Sequence, residues 1–219
     1  MNIKLNERLT TISAFINDSE NIIDVGCDHG LLGIYLFLNK KNISVISSDI
    51  NSGPLEKAKS NLIKYGLENK IKLSLGNGLE CVSSETDTVI ISGMGGLTII
   101  SILSSIKKYP NIKKIVISPN NEFILTRKEI TKLGFKLNSE TMVKENNKYY
   151  LVSEYLIGHE KTNYRFGKLD FSNNVVKSYY LDLYNKNKLI IKKIPKRYFL
   201  KRIKIIFDNY LIEKKIYKM

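Results

Sequence analysis

The stretch DVGCDHG at residues 24–30 gathers two glycines, two carboxylates and an imidazole into seven positions. Gly26 and Gly30 permit a sharp turn and close approach of the backbone to a bound molecule, and the helix that follows would present its N-terminal amides to that molecule. Asp28 and His29 add groups able to hold or move a proton in the tightest part of the loop. Asp49, roughly 20 residues past the first glycines, stands where an acid can accept both hydroxyls of a ribose. Three further loops have the same character. LGNGL (75–79) sets Asn77 between glycines, where its amide can both donate to and accept from an adenine edge. SGMGG (92–96) surrounds Met94 with glycines, and Met94 reads equally as a soft apolar surface for a purine or as a buried residue in a tight turn. In SPNN (118–121), Pro119 fixes the backbone, and Asn120 can accept from an exocyclic amine and donate to a ring nitrogen, although alone this is an ordinary turn.

Each loop follows a short β-branched run: NIIDV (21–25), ISVISS (43–48), KIKLS (70–74), TVIIS (88–92) and KIVIS (114–118). Helical stretches separate them, which predicts a parallel sheet wrapped by helices, with ligands bound beyond the carboxyl ends of the strands. FKLNSETMV (135–143) and YYLVSEYLI (149–157) are separated only by KENNK, so they form an antiparallel hairpin at the end of that sheet. A seven-stranded, mostly parallel sheet of this kind outlines the Rossmann-like class I methyltransferase domain of the α/β class. Periodicity alone also admits a dehydrogenase, but GCDHG departs from GxGxxG and no catalytic His or Tyr and Lys pair stands out.

From about Glu160 the pattern breaks and becomes helical. Val176, Tyr180, Leu183, Ile190 and Ile194, then Ile203, Ile206, Tyr210 and Ile216, fall at helical spacing on either side of a break at NKNK (185–188) or Pro195. Two helices of about twenty residues, packed as an antiparallel hairpin or coiled coil, are predicted. The expected division is therefore a catalytic domain over 1–159 and a basic helical hairpin over 160–219. Residues 160–219 hold 16 Lys and Arg against 5 Asp and Glu, whereas residues 1–159 hold 19 against 16. A lysine-rich genome explains a basic total, since only five of the 35 basic residues are Arg, but it does not sort charge by domain. Lys193, Lys196, Arg197, Lys201 and Arg202, near the hairpin tip, are placed to grip RNA backbone, with a solvated basic face as the alternative. Tyr198 and Phe199 either stack on a base or pack between the helices.

No run of about 18 uncharged apolar residues is present, and the N-terminal stretch MNIKLNERLTTISAFI has helical spacing rather than the apolar core of a signal peptide. The two cysteines lack CxxC spacing and suggest neither a disulfide framework nor a metal site. The expectation is a soluble, cytoplasmic monomer without metal or membrane partner.

Taken in order, Arg8–Leu9, DVGCDHGLLG, the SGP of 52–54, GNGL, SGMGGLTI, SPN and the KYY of 148–150 resemble the bacterial tRNA (adenine-N1)-methyltransferases that modify adenine 22. The resemblance runs over about residues 5–157, and the lysine-rich end is similar to that family's C-terminal coiled coil. It implies S-adenosyl-L-methionine as methyl donor, bound near Arg8, Asp24, Gly26, Cys27, Gly30, Asp49, Ile50, Asn77, Gly78, Gly93 and Met94. It also implies tRNA as substrate, with the flipped adenine near Asp28, His29, Pro119 and Asn120. Methylation of a ring nitrogen leaves a cation, so a carboxylate beside the base stabilises the product charge, and Asp28 is the residue of choice for that role. His29 stacks on the base, bonds Asp28 or a phosphate, or completes the turn. Two other readings stay open: a methyltransferase acting on another RNA site or a small molecule, and a non-catalytic RNA-binding protein on the same fold.

Overall fold

The computed structural model describes residues 3–217, and the chain divides into two compact units between Lys168 and Leu169. In the first unit strands and helices alternate: α1 (Glu7–Ala14), β1 (Asn21–Val25), α2 (Leu31–Asn39), β2 (Ser44–Asp49), α3 (Ser52–Tyr65), β3 (Lys72–Leu75), β4 (Thr88–Ser92), α4 (Gly96–Leu103), β5 (Lys114–Ser118), α5 (Phe123–Lys132), β6 (Phe135–Glu145) and β7 (Lys148–Ile157). The seven strands form one sheet in the order β3-β2-β1-β4-β5-β7-β6. The first five are parallel, and β7 enters antiparallel between β5 and β6.

The central strands β1, β4 and β5 are buried nearly throughout, which is why they read as unbroken apolar runs rather than alternating ones. On one face Ile23, Val89, Ile91, Ile115 and Ile117 pack with Ile99 and Leu103 of α4; on the other Ile22, Ile90 and Val116 pack with Ile12, Leu36 and Leu62. The β6–β7 turn places Asn146 and Asn147 at φ 48° and 58°, the pair of left-handed residues that a two-residue hairpin loop requires.

Residues 160–168 carry no helix or strand, yet they belong to the first unit. Buried Arg127 donates from Nε to Glu140 Oε1 at 2.8 Å and from Nη1 to the carbonyls of Tyr164 at 3.0 Å and Arg165 at 3.3 Å. The Lys168 N–H donates to Glu140 Oε2 at 3.0 Å. The structural division thus falls later than the 159/160 boundary drawn where the strand pattern ends. A segment held by a buried ion pair, without regular structure of its own, looks like a linker in sequence.

The second unit is a helical pair, α6 (Asn174–Lys193) and α7 (Phe199–Tyr217). Asn173 caps α6, its Oδ1 accepting from Val175 N–H at 2.8 Å. NKNK lies inside α6, and the break comes at Ile194–Tyr198, where Pro195 disfavours helical backbone at the residue before it. Asn209 receives Asn187 Nδ2 on its Oδ1 at 2.8 Å and donates from its own Nδ2 to the Tyr184 carbonyl at 3.1 Å, while Arg202 Nη1 donates to the carbonyls of Ile191 at 2.7 Å and Ile194 at 2.8 Å. Those pairings run in opposite directions along the two helices, as an antiparallel hairpin requires. Among the described residues no helix is long and apolar enough to cross a membrane, and no group of three or more His, Cys, Asp and Glu could hold a metal ion.

Candidate active site

At the carboxyl ends of β1, β2, β3 and β4 the loops enclose a cavity of about 690 Å³, within the size range of small-molecule sites. The chain leaves β1 at Gly26, φ 75°, whose N–H donates to the Ser48 carbonyl at 2.8 Å; the Cys27 N–H shares that acceptor at 3.0 Å. The left-handed backbone at Gly26 favours glycine, and a Cβ there would displace the flexible end of Met94, so the turn after β1 and the methionine after β4 lie in direct contact. Met94 both lines the cavity and packs against the core, combining the two readings of GMGG.

Asp28 and His29 stand at the cavity wall with their side chains 69% and 45% exposed, His29 Nε2 lying 3.4 Å from Asp28 Oδ2. Asp28 has φ 52°, a left-handed backbone that Asp tolerates better than most side chains. The turn is held from outside by Asn61 of α3, whose Nδ2 donates to the His29 carbonyl at 2.9 Å.

Asp49, at the end of β2, accepts the Asn51 N–H on Oδ1 at 2.9 Å, and next to it Ile50 exposes an apolar side chain in the cavity wall. Asn77 and Gly78 close the wall after β3, with Asn77 N–H donating to Glu80 Oε2 at 3.0 Å. Opposite charge comes from Arg8. Asn6 Oδ1 accepts from Leu9 N–H at 2.8 Å and so caps α1, and the Arg8 guanidinium lies 4.9 Å above the Tyr150 ring. Gly93, φ 76°, leaves room for it, since a Cβ there would sit 3.3 Å from Arg8 Nη1. Tyr150 therefore orients a site residue as well as serving the hairpin.

Of the cofactor residues expected from sequence, Arg8, Gly26, Cys27, Asp49, Ile50, Asn77, Gly78, Gly93 and Met94 line this cavity, whereas Asp24 and Gly30 lie behind its wall. Asp24 is buried in β1, and its carboxyl is pushed up to about 7, mainly by burial and then by the charge of Asp49. Burial, followed by Asp24 and Asp49, also pushes the Cys27 thiol up, which leaves it an unreactive wall residue. Gly30, φ 67°, begins α2 against Ala58.

Pro119 and Asn120 do not line the cavity, but Asn120 buttresses it. The Asn120 N–H donates to the Met94 carbonyl at 2.8 Å, Asn120 Nδ2 donates to the Gly93 carbonyl at 2.7 Å, and the Gly96 N–H donates to Asn121 Oδ1 at 2.9 Å. One hydrogen of the Asn120 amide is used on Gly93, which orients the side chain and leaves its second N–H and Oδ1 to serve as donor and acceptor. Sequence reasoning missed Asn61, Asn121 and the α4 residues Thr98, Ser101 and Ile102 of the wall. The spacing of Thr98 and Ser101, one turn apart just after GMGG, was the available signal.

In the second unit Lys193, Lys196, Arg197 and Lys201 are exposed. Arg202 is not free in the same way, because its guanidinium is bonded to the Ile191 and Ile194 carbonyls and braces the hairpin.

One guanidinium, carboxylates at Asp28 and Asp49 and an apolar side chain at Ile50 suit a molecule that combines a carboxylate, a cationic centre, a ribose and a flat ring. The strand order, with its antiparallel seventh strand, and a glycine-lined cavity at the strand ends define a Rossmann-like methyltransferase domain. Residues 5–153 match the methyltransferase domain family, and the chain belongs to it. A Bacillus subtilis tRNA (adenine(22)-N(1))-methyltransferase is 34% identical over 152 residues, which are 68% of this chain and 64% of that protein, so the alignment spans somewhat less than two thirds of the relative. Streptococcus pneumoniae Sp1610 in complex with S-adenosyl-L-methionine superposes with a TM-score of 0.88 at 25% identity, covering 98% of this chain and 100% of the other. M. capricolum TrmK in complex with S-adenosyl-homocysteine does so with a TM-score of 0.85 at 29% identity, covering 97% of each chain. These relatives bear out the resemblance read from DVGCDHGLLG, GNGL and SGMGG.

Proposed function

We propose that this protein transfers a methyl group from S-adenosyl-L-methionine to N1 of adenine 22 in tRNA, acting as a monomer in the cytoplasm. The observation that carries the reading is the pairing of Arg8 with Asp49, Ile50 and the Gly26 turn in one cavity whose wall holds the exposed Asp28. The relatives named above support both the donor and the acceptor.

Bound donor supplies an electrophilic methyl group on a sulfonium. Arg8 would partner its carboxylate and Asp49 its ribose hydroxyls, while Ile50 would cover the adenine ring. Adenine N1 carries an in-plane lone pair, so no proton need leave before attack, and alignment of nucleophile, methyl carbon and sulfur dominates the rate. Positive charge then develops on the base and spreads to the exocyclic nitrogen. Asp28 stabilises that charge and can take a proton from the amine, and Asn120 Oδ1 accepts from the same amine. Exposing the base from folded RNA costs a few kcal/mol, which contacts by the basic hairpin through Lys193, Lys196, Arg197 and Lys201 offset.

The test is incubation with labelled donor and total tRNA followed by nucleoside analysis, repeated with a tRNA transcript in which A22 is replaced by G. Label in 1-methyladenosine that disappears with the replaced base is expected. Label on another nucleoside would assign the enzyme to a different RNA site, and sedimentation in the same buffer reads the oligomeric state.

A further inference from the structure

The tip of the helical pair contains a second, smaller cavity of about 300 Å³ lined by Ile190, Lys193, Ile194, Pro195, Tyr198 and Lys201. Four of these residues give it apolar walls, and the two exposed lysines put positive charge at its edge. It is a built feature rather than a frayed end. Arg202 Nη1 fastens the carbonyls of Ile191 and Ile194, and the Tyr198 N–H closes the turn on the Pro195 carbonyl at 3.0 Å. The Arg197 guanidinium lies 5.1 Å from the Tyr198 ring centroid, which restrains that ring while leaving the residue 51% exposed.

We propose that this pocket receives one unpaired nucleotide of the tRNA substrate, its base stacked on Tyr198 against Ile190, Ile194 and Pro195 and its flanking phosphates held by Lys193 and Lys201. The inference rests on the tRNA reading above. An apolar slot with an aromatic floor and cationic rim matches the two faces of a nucleotide, a π-surface and an anion. The charge of the surrounding segment, 16 basic against 5 acidic residues over 160–219, disfavours a second copy of the same chain as occupant. Stacking of this kind is insensitive to base identity, so the pocket contributes affinity and register rather than sequence choice.

The experiment uses the full chain with tRNA. Replacement Tyr198→Ala should raise KM for tRNA by about fivefold or more with kcat and donor affinity unchanged, and Tyr198→Phe should stay within about twofold of wild type. Lys201→Ala should raise KM and flatten its dependence on salt. Photocrosslinking of 4-thiouridine-bearing tRNA to the unaltered protein, mapped by mass spectrometry, should label residues 190–201, and this readout does not depend on any variant folding. Crosslinks confined to other segments, or an unchanged KM in Tyr198→Ala, overturn the pocket assignment. So does a loss of vesicle binding or self-association with KM intact, which would assign the slot to a membrane surface or a second copy. If the wild type itself leaves tRNA unmethylated, the proposed function fails first and is recognised separately.

Discussion

At the residue scale the informative position is Asp28. Sequence suggests a carboxylate facing substrate, and the structure adds a left-handed backbone at φ 52°, which changes the variant worth making. Alanine would disturb the turn as well as the charge, whereas asparagine tolerates that conformation and removes only the charge. Asp28→Asn should lower kcat by about 10²-fold with donor affinity within a fewfold, as measured by single-turnover kinetics and calorimetry. A variant that kept wild-type turnover would remove Asp28 from the chemistry. Asp24 shows the reverse limit: its acid type is visible in the sequence, its burial is not. Because the carboxyl is pushed up to about 7, the folded chain retains a proton that the unfolded chain has lost through the range between the ordinary carboxylate value and 7. Stability therefore falls as pH rises through that range and stays at its lower level above it. Asp24→Asn should melt several degrees above wild type near pH 8 and converge with it near pH 4, by calorimetric scans. An identical offset at all pH values would contradict the raised value.

At the scale of elements, four main-chain and side-chain bonds tie the turn after β5 to the glycine turn after β4. Besides the three from Asn120 and to Asn121, the Gly93 N–H donates to the Ser118 carbonyl at 3.1 Å. Gly95 has no side chain to cap α4, so Asn121 serves from the loop after the adjacent strand by accepting the Gly96 N–H, and Gly96 is a glycine because a Cβ would strike the Asn121 carbonyl. Asn121→Ala should loosen the Gly93–Gly96 turn and lower kcat about tenfold, while Asn121→Asp, which keeps the acceptor, should restore most of it; parallel losses in both variants would indicate a general folding defect instead. Strands were legible because β-branched runs and loop glycines recur together. The clamp was not, since Asn120 and Asn121 look like any turn until Gly93 and Gly96 are known to lie against them. Arg127 is the same lesson in the core: a lone Arg in a helical stretch gives no sign that Glu140 and two carbonyls await it.

At the scale of the whole molecule, the division after Lys168 makes a sharp distinction between two truncations. A chain ending at Lys168 keeps the carbonyls of Tyr164 and Arg165 that Arg127 needs, and should bind donor while failing to methylate tRNA. A chain ending at His159 loses those partners and leaves a buried guanidinium short of acceptors, so it should unfold at lower denaturant by about 3 kcal/mol or more. Equal stability of the two in urea titrations would show that the segment 160–168 adds nothing. The helical pair was readable from spacing and charge. Its pocket was not, because it depends on where Pro195 ends α6 and on how Arg202 folds back over the break.

The antiparallel insertion of β7 has one further consequence, for the order in which the molecule can be made. β5 is synthesised with one edge open, and the strand that covers it, β7, arrives only after β6 and the Asn146–Asn147 turn. Until residue 157 has left the ribosome, the apolar centre of the sheet carries an unpaired edge, the situation that invites pairing with the wrong chain. Hairpins with short turns form within microseconds, so β6 and β7 can pair with each other before docking and close that edge in one step.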